Sequence, residues 1–305
     1  MLWYEPYQKQ YPAKQTRLLQ LFDLLGIPHE EPKQEWGSSL VIIGFSFDPN
    51  AMTITLPPSS RLELITALRQ FAQPGTRRPL RDFERLAGWS QWSFNVAPLL
   101  RPGLSRMYDK MAGKLEVFQL MWVSVALCRE LLWIAERLEA SDGVLLLDSL
   151  EWSTLDADLV LYTDASAAGM GIWCPSLHRG LHSLIDKPEP SRIFFYKALA
   201  VVSALTFAAS FNHFHRIVIF TDNLNTVSMF NSLHAKPDYN PLLITAMNTL
   251  LNNNLQLRVL HIPGSENVIA DAISRSNFDI VVSKHPESTL HIFSPPELSS
   301  GSKSI

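Results

Sequence analysis

Three aspartates lie where strand-like runs of the sequence end. Asp164 follows the run 159–163, and Asp222 comes shortly after the apolar run 217–220. Asp271 lies in the first turns of a helix-like segment that follows a third apolar run. Because the carboxyl ends of neighbouring strands open onto one crevice, the three carboxylates are expected to converge. Oxygen ligands grouped in this way suit Mg²⁺, and two such ions support hydrolysis of a phosphodiester.

An aspartate at the end of a strand is also a common turn former or helix cap, and this alternative holds for each of the three taken alone. Three such residues in one predicted domain, each at a strand-to-helix transition, weaken the interpretation as independent caps. The arrangement indicates a site for divalent cations and does not by itself specify a reaction.

The elements that position these aspartates alternate between strands and helices. Strands are predicted at 159–163, 169–174, 193–195, 217–220 and 257–262, and helices at 197–210, 224–233, 241–252 and 268–273. This order predicts an α/β fold with a mixed five-stranded sheet and flanking helices.

The first half of the chain has a different character. A helix is predicted at 15–26, a β-hairpin at 40–47 and 52–56 with its turn at 48–50, and further helices at 61–71, 80–92, 104–112 and 115–139. This half is therefore expected to be a β-hairpin followed by a mostly helical region.

Composition is that of a globular protein: 305 residues, 47% hydrophobic and 18% charged. Its two cysteines, Cys128 and Cys174, cannot build a disulfide framework and lack metal-ligand spacing, so an intracellular location, cytoplasmic or nuclear, is expected. The first residues carry no secretory signal pattern, and no apolar run is long enough to span a bilayer, so no membrane partner is expected.

Charge is unevenly distributed along a chain whose net charge is −3. Residues 61–114 contain ten Lys/Arg and four Asp/Glu, whereas residues 131–305 contain eleven Lys/Arg and seventeen Asp/Glu. A basic helical region beside an acidic domain suits a chain that contacts phosphates with one part and holds divalent cations with another. The alternative is a solvated helix face that is merely rich in arginine.

Three strings of residues resemble the ribonuclease H domain of retroelement reverse transcriptases. They are Tyr-Thr-Asp-Ala-Ser at 162–166, Phe-Thr-Asp-Asn at 220–223, and the segment 261–275, in which Gly264, Asn267, Asp271, Ser274 and Arg275 match the retrotransposon pattern. The resemblance implies a ribonuclease H-like fold for this half. It also implies that Asp164, Asp222 and Asp271 are the first, third and fourth acids of an Asp-Glu-Asp-Asp site. Such a site uses Mg²⁺ or Mn²⁺ to hydrolyse an RNA–DNA hybrid.

The preceding half resembles the part of a reverse transcriptase that follows its catalytic aspartates, and the chain as a whole is similar to DIRS-like elements of fungi. The resemblance implies four parts: a late palm and primer-grip remnant at 1–57, a helical thumb/connection-like region at 58–150, the ribonuclease H-like domain at 151–276 and a disordered tail at 277–305. The implied partner is an RNA–DNA hybrid or duplex nucleic acid. Its candidate contacts are Arg77, Arg78, Arg81, Arg85, Asn223 and Asn267.

Two departures from the family pattern decide the expected activity. No Tyr-x-Asp-Asp string occurs, and the polymerase motif would lie before residue 1, so no polymerase activity is expected. Lys197 stands where the family has its glutamate, in the context Phe-Tyr-Lys-Ala-Leu-Ala. An ammonium among the aspartates is attracted by a few kcal/mol at an effective dielectric constant of about 20. It would occupy the space and charge that a metal ion needs.

The hypothesis is a truncated retroelement reverse transcriptase/ribonuclease H-like protein in which metal-dependent hybrid hydrolysis is lost or weak. Any remaining activity would use Mg²⁺ or Mn²⁺, and no other cofactor is expected. In a competing interpretation Lys197 extends outward and one weak metal site persists. The alternative function is a non-catalytic nucleic-acid-binding module, or an expressed fragment without a selected role.

Overall fold

The computed structural model describes residues 1–141, 144–146, 151–186 and 189–303. The first half contains short strands and helices: β1 Leu2–Tyr4, β2 Lys9–Tyr11, α1 Ala13–Leu25, β3 Leu40–Ile42, β4 Phe45–Asp48, β5 Thr53–Thr55, α2 Pro58–Phe71, β6 Arg77–Pro79, α3 Leu80–Ser93, α4 Ser105–Met111, β7 Leu120–Trp122, α5 Val125–Ala140 and β8 Val144–Leu146. No helix among the described residues is long and apolar enough to cross a membrane.

The second half contains longer strands and the helices that cover them: β9 Leu159–Ala165, β10 Gly169–Cys174, β11 Arg179–Leu184, α6 Ile193–Ala208, β12 Arg216–Thr221, α7 Leu224–Ser232, α8 Asn240–Asn253, β13 Gln256–His261, α9 Val268–Ser274, α10 Phe278–Lys284 and β14 Thr289–Ile292. The apolar run 217–220 lies in β12, a central strand, as expected for a strand buried on both faces.

Six strands of the described chain form one mixed sheet in the order β13-β12-β9-β10-β11-β14. β9, β10 and β11 form an antiparallel meander, while β12 and β13 extend it in parallel beside β9. β14 lies parallel to β11 at the opposite edge. An antiparallel meander extended by parallel strands, with helices packed on it, is the ribonuclease H-like α/β fold, so the predicted fold class is confirmed. The sheet contains six strands among the described residues, and not the predicted five.

The third strand of the meander differs from the prediction. Residues 193–195 begin α6, and β11 at Arg179–Leu184 takes the place of the third strand. Gly180 and His182 interrupt the apolar pattern of β11, so this strand contains no continuous apolar run. A side-chain carbon at Gly180 would lie 2.6 Å from the end of the Leu290 side chain of β14, which would have to shift.

The predicted hairpin of 40–56 contains an additional strand. The apolar run 40–47 is divided into β3 and β4 by a two-residue turn at Ile43 and Gly44, and β5 then pairs with β4. Both turn residues have positive φ, +46° and +86°, which is the conformation of a tight type I′ turn. Isoleucine rarely adopts it, and the sequence pattern therefore gave no sign of a turn.

The tail also differs from the prediction of disorder for 277–305. Residues 278–284 form α10, and β14 pairs with β11. Val281 of α10 is fully buried beside Trp173 and Ile273. Farther on, the backbone N–H of Ser299 donates to the Thr245 hydroxyl at 2.8 Å. The last residues, 304 and 305, lie outside the described part.

Alternate residues of the central strands face opposite sides of the sheet. Leu161 and Ile172 belong to the main core, which includes α6, whereas Tyr162 and Trp173 pack with Ile273 of α9. α6 is apolar all round because it lies between the sheet and α8. The sheet thus carries α6 on one face and α9 on the other, and both helices reach the end of β9.

The helical region of the first half packs against the second half through α5 and α8. Trp133 Nε1 donates to Asn248 Oδ1 at 2.8 Å, and the Ser105 hydroxyl donates to the Ala235 carbonyl oxygen at 2.8 Å. One continuous hydrophobic core runs from α2 through α5 to α6. The domain boundary expected at 150 lies beside residues 147–150, which are outside the described part.

Candidate active site

Asp164 and Asp222 lie at the same end of the sheet because their strands are parallel neighbours. β9 and β12 run in parallel with Thr163 opposite Thr221, so the residue after each of these threonines emerges at the same end. Asp164 is the penultimate residue of β9 and is 3% exposed. Asp222 directly follows β12, and 27% of its side chain is exposed.

The ammonium of Lys197 lies between these two carboxylates. Lys197 is in the second turn of α6, and its Nζ donates to Asp164 Oδ1 at 2.7 Å. The same nitrogen lies 2.5 Å from Asp222 Oδ1 and 2.7 Å from Asp222 Oδ2. Its side chain is 14% exposed. The geometry is therefore that of an enclosed ion-pair cluster, with the lysine directed inward and not toward solvent.

Ser274 of α9 completes the surroundings of Asp164. Its hydroxyl lies 3.1 Å from Asp164 Oδ2 and 2.9 Å from the Asp271 carbonyl oxygen. This approach depends on Gly171, which pairs with Asp164 across β10 and β9. A side-chain carbon on Gly171 would lie 2.4 Å from the Ala270 carbonyl oxygen, so only glycine lets α9 come this close. Every carboxylate oxygen of Asp164 and Asp222 thus has a partner within the protein.

Burial and charge oppose each other in this cluster. Burial raises the pKa of Asp164, and the hydrogen bond from Lys197 counteracts that effect only in part. Desolvation lowers the pKa of Lys197, but the hydrogen bonds to Asp164 and Asp222 outweigh it and raise the pKa above its ordinary value. Lys197 is consequently a cation throughout the neutral pH range.

Asp271 pairs with a different cation. Its Oδ1 accepts a hydrogen bond from Arg275 Nε at 2.7 Å, one helical turn along α9, and 41% of its side chain is exposed. Among the described residues, no group of three or more His, Cys, Asp or Glu side chains is placed to hold a metal ion. With Lys197 bound to Asp164 and Asp222, the residues do not fit a divalent-metal site in the arrangement shown.

Both asparagines of the predicted nucleic-acid contacts lie near the cluster. Asn223 caps α7, its Oδ1 accepting from the Thr226 backbone N–H at 2.8 Å. Asn267 is 2% exposed and donates from Nδ2 to the Thr163 carbonyl oxygen at 2.9 Å, while its Oδ1 is buried without a partner. Asn267 therefore ties the start of α9 to β9, and Asn223 begins α7.

The predicted arginines divide into two groups. Arg78 points inward: its Nη2 donates to the Gln70 carbonyl oxygen at 2.6 Å, and its guanidinium lies 4.8 Å from the centre of the Phe71 ring. Arg77, Arg81 and Arg85 are exposed. These three lie on β6 and α3, far in sequence from Lys197, Asp164 and Asp222.

The sequence does not predict two features of the molecule. Ser274 was matched to a motif, but its contact with Asp164 became visible only with the helix in place. Phe118 and Trp122 lie within a segment interpreted as helix, so their position beside the exposed arginines could not be foreseen. Leu120, Met121 and Trp122 of β7 are all apolar, so the alternation of the buried Met121 with its two exposed neighbours is visible only in the structure.

No protein-family model matches the sequence, and comparison with curated proteins finds no similar sequence. Among solved structures, the ribonuclease H1 of the archaeon Halobacterium salinarum is similar at 17% identity and a TM-score of 0.33, over 40% of this chain and 98% of that one. The N-terminal ribonuclease H domain of a Mycobacterium tuberculosis protein is similar at 15% identity and a TM-score of 0.33, over 42% and 99%.

A longer stretch is similar to the foamy viral protease-reverse transcriptase in complex with an RNA/DNA hybrid, at 13% identity and a TM-score of 0.32. That match covers 83% of this chain and 34% of the viral one, so the chain spans about a third of the viral protein. The strand order and strand directions of the sheet remain the ground for the fold.

Proposed function

We propose that the chain is a ribonuclease H-like protein of retroelement reverse-transcriptase type, from a DIRS-like lineage, in which metal-dependent hydrolysis of an RNA–DNA hybrid is lost or weak. The observation that carries this proposal is the contact of Lys197 Nζ with both Asp164 and Asp222. The sequence motifs around the three aspartates support the retroelement origin.

The physical reason is competition for one position. A divalent ion bound between Asp164 and Asp222 would have to displace the ammonium and break its three close contacts with carboxylate oxygens. An ammonium left beside the ion would repel it. Because the stabilisation of developing charge is usually the largest catalytic term, removing one metal position is expected to cost three or more orders of magnitude in rate.

The deciding experiment compares hybrid cleavage by the wild type and by Lys197→Glu in buffers with Mg²⁺, Mn²⁺ or EDTA. We expect negligible cleavage by the wild type and metal-dependent cleavage by the variant. Lys236→Glu is the matched control, because Lys236 is an exposed lysine of the same domain and makes the same change of charge. Robust metal-dependent cleavage by the wild type that Asp222→Asn abolishes would contradict the proposal.

Lys197→Gln keeps the test informative if the glutamate variant fails to fold. It removes the ammonium without placing a third carboxylate beside the other two. We expect Mg²⁺ to raise the melting temperature of Lys197→Gln and to leave that of the wild type unchanged, because only the variant has free carboxylate oxygens for the ion. An equal metal-dependent shift in both proteins would show that Lys197 does not exclude the ion.

A second candidate is a nucleic-acid-binding module without chemistry, which the exposed Arg77, Arg81 and Arg85 favour. In this case the protein binds an RNA–DNA hybrid or duplex in EDTA, and affinity falls steeply as salt concentration rises. The two candidates are compatible, since a protein that has lost hydrolysis can keep its grip on the phosphates.

A further inference from the structure

β6 and β7 form an antiparallel two-stranded ribbon whose two faces differ. Arg77 pairs with Trp122, Arg78 with Met121, and Pro79 with Leu120. Alternation places Arg78 and Met121 on the inner face, where Met121 is 8% exposed. The outer face carries Arg77, Leu120 and Trp122. The side chains of Leu120 and Trp122 are 59% and 53% exposed.

A second pair of the same kind lies beside the ribbon. The backbone N–H of Arg81, in the first turn of α3, donates to the Val117 carbonyl oxygen at 2.9 Å, which holds the residues before β7 against the helix. The guanidinium of Arg81 lies 5.5 Å from the centre of the Phe118 ring, and that of Arg77 lies 4.2 Å from the centre of the Trp122 ring. Phe118 is 69% exposed.

We call the surface made by Arg77, Arg81, Phe118, Leu120 and Trp122 the ribbon face. Within the described residues, neither Arg77 nor Arg81 has an ion pair, so each positive charge is available to a ligand. Arg85 extends the charge one helical turn beyond Arg81 and is also exposed. The surface thus offers two exposed rings, each with a guanidinium group over one of its faces, in a region with a surplus of basic residues.

This chemistry selects among possible partners. A polyanion of any kind would be attracted to the arginines, but only one with accessible flat rings also uses Phe118 and Trp122. Duplex nucleic acid presents phosphates and hides the faces of its bases, whereas a single strand presents both. Base stacking on an exposed aromatic side chain contributes about 1–3 kcal/mol per base, and a neighbouring arginine adds a cation–π term.

We propose that the ribbon face binds single-stranded nucleic acid, with bases stacked on Trp122 and Phe118 and phosphates contacting Arg77 and Arg81. This inference rests on the proposed nucleic-acid-binding function and deepens it. It assigns to the helical region a single strand, such as the overhang of a hybrid, instead of the paired part.

The test measures fluorescence anisotropy of the full-length chain in EDTA with three labelled probes of about 20 nucleotides, a length that exceeds a single ~4–16-nucleotide site. The probes are an oligothymidylate, an abasic strand of equal charge and a duplex. We expect Trp122→Ala to weaken oligothymidylate binding about 10-fold and to leave abasic-strand binding unchanged. Trp3→Ala is the matched control, because Trp3 is 51% exposed on another sheet.

The outcomes separate this inference from the proposed function. Equal weakening of the oligothymidylate and the abasic strand by Trp122→Ala would overturn base stacking. Duplex binding that weakens with Arg77→Ala, together with no binding of the oligothymidylate, would overturn the single-strand assignment and leave nucleic-acid binding intact. Absence of binding to all three probes would overturn this inference and also the nucleic-acid-binding function on which it rests. A dimer that Trp122→Ala dissociates would identify a second copy of the chain as the occupant instead.

Discussion

The Lys197 cluster, which consists of Lys197, Asp164 and Asp222, differs from the ribbon face in the groups that surround its cation. Lys197 is enclosed, and both of its partners are carboxylates of the same chain. Arg77 is exposed, and its neighbour is the neutral ring of Trp122. In the Lys197 cluster, carboxylates of the same chain neutralise the positive charge. On the ribbon face, the positive charge can attract a polyanion. The functional surface of this protein is therefore expected where the cations lack acidic partners, and not where the motif residues lie.

Burial sharpens the difference. Two charges taken out of water need each other, so removal of one partner leaves an uncompensated charge in a poor solvent. A cation on an exposed ring interacts weakly because water competes for it. The two regions consequently predict very different costs for deleting one cation.

Lys197→Ala is expected to have the largest effect. Without the ammonium, the buried Asp164 faces Asp222 with no counter charge, and we expect the free energy of unfolding at neutral pH to fall by about 3 kcal/mol in EDTA. Chemical denaturation measures this loss.

The loss should shrink in acid, because a protonated Asp164 needs no partner and burial already raises its pKa. Lys236→Ala, on the exposed surface of the same domain, should change stability by less than about 0.5 kcal/mol. Equal losses for the two lysines would remove the distinction between enclosed and exposed cations.

Glu130 provides an intermediate case, a buried carboxylate whose cation is less well placed. Its Oε2 accepts from the Arg106 backbone N–H at 2.9 Å, and its Oε1 accepts from Asn240 Nδ2 at 2.9 Å. The Arg106 guanidinium lies 3.4 Å away at Nε. Desolvation by burial outweighs these partners and raises the pKa of Glu130 to about 7.

The sign of the resulting pH dependence follows from proton uptake. Between the ordinary value of 4.5 and about pH 7, the folded state holds a proton on Glu130 that the unfolded state has released. Stability therefore falls as pH rises through this window, by about 3 kcal/mol in total. The Glu130→Gln variant should lack this pH dependence. As pH rises through the window, the wild type should therefore lose about 3 kcal/mol of unfolding free energy relative to the variant. Glu84→Gln, an exposed control, should follow the wild type; parallel curves for all three proteins would contradict the account.

Much of the fold could be predicted because its central elements carry strong local patterns. The apolar run 217–220 predicts a buried strand, and the long apolar segment of α6 predicts a buried helix. Both elements are buried in the structure. The elements that were missed are short or atypical. β7 is three residues long with exposed apolar side chains, and β14 is an edge strand of Thr, Leu, His and Ile whose pairing with β11 depends on distant residues. No local periodicity distinguishes such segments from helix or coil.

The site shows the same division. The strand-end positions of Asp164 and Asp222 follow from local pattern, whereas the lysine at position 197 is marked as unusual only by the resemblance to ribonuclease H domains. Whether that lysine turns inward or outward depends on the distance between α6 and two strands, which only the tertiary packing sets. The structure turns it inward. Asp271, expected to converge with the other two, forms an ion pair with Arg275 on its own helix.

Arg77→Ala is expected to have the smallest effect on stability, which completes the comparison. Its guanidinium contacts an exposed ring, and we expect the free energy of unfolding to fall by about 0.5 kcal/mol. A double-mutant cycle with Trp122→Ala isolates the interaction from other effects of each substitution. A coupling energy as large as the stability loss expected for Lys197→Ala would mean that the ribbon face is a structural contact, already satisfied within the chain. A small coupling energy keeps the arginine available, because little stability is lost when its guanidinium exchanges the ring for a phosphate.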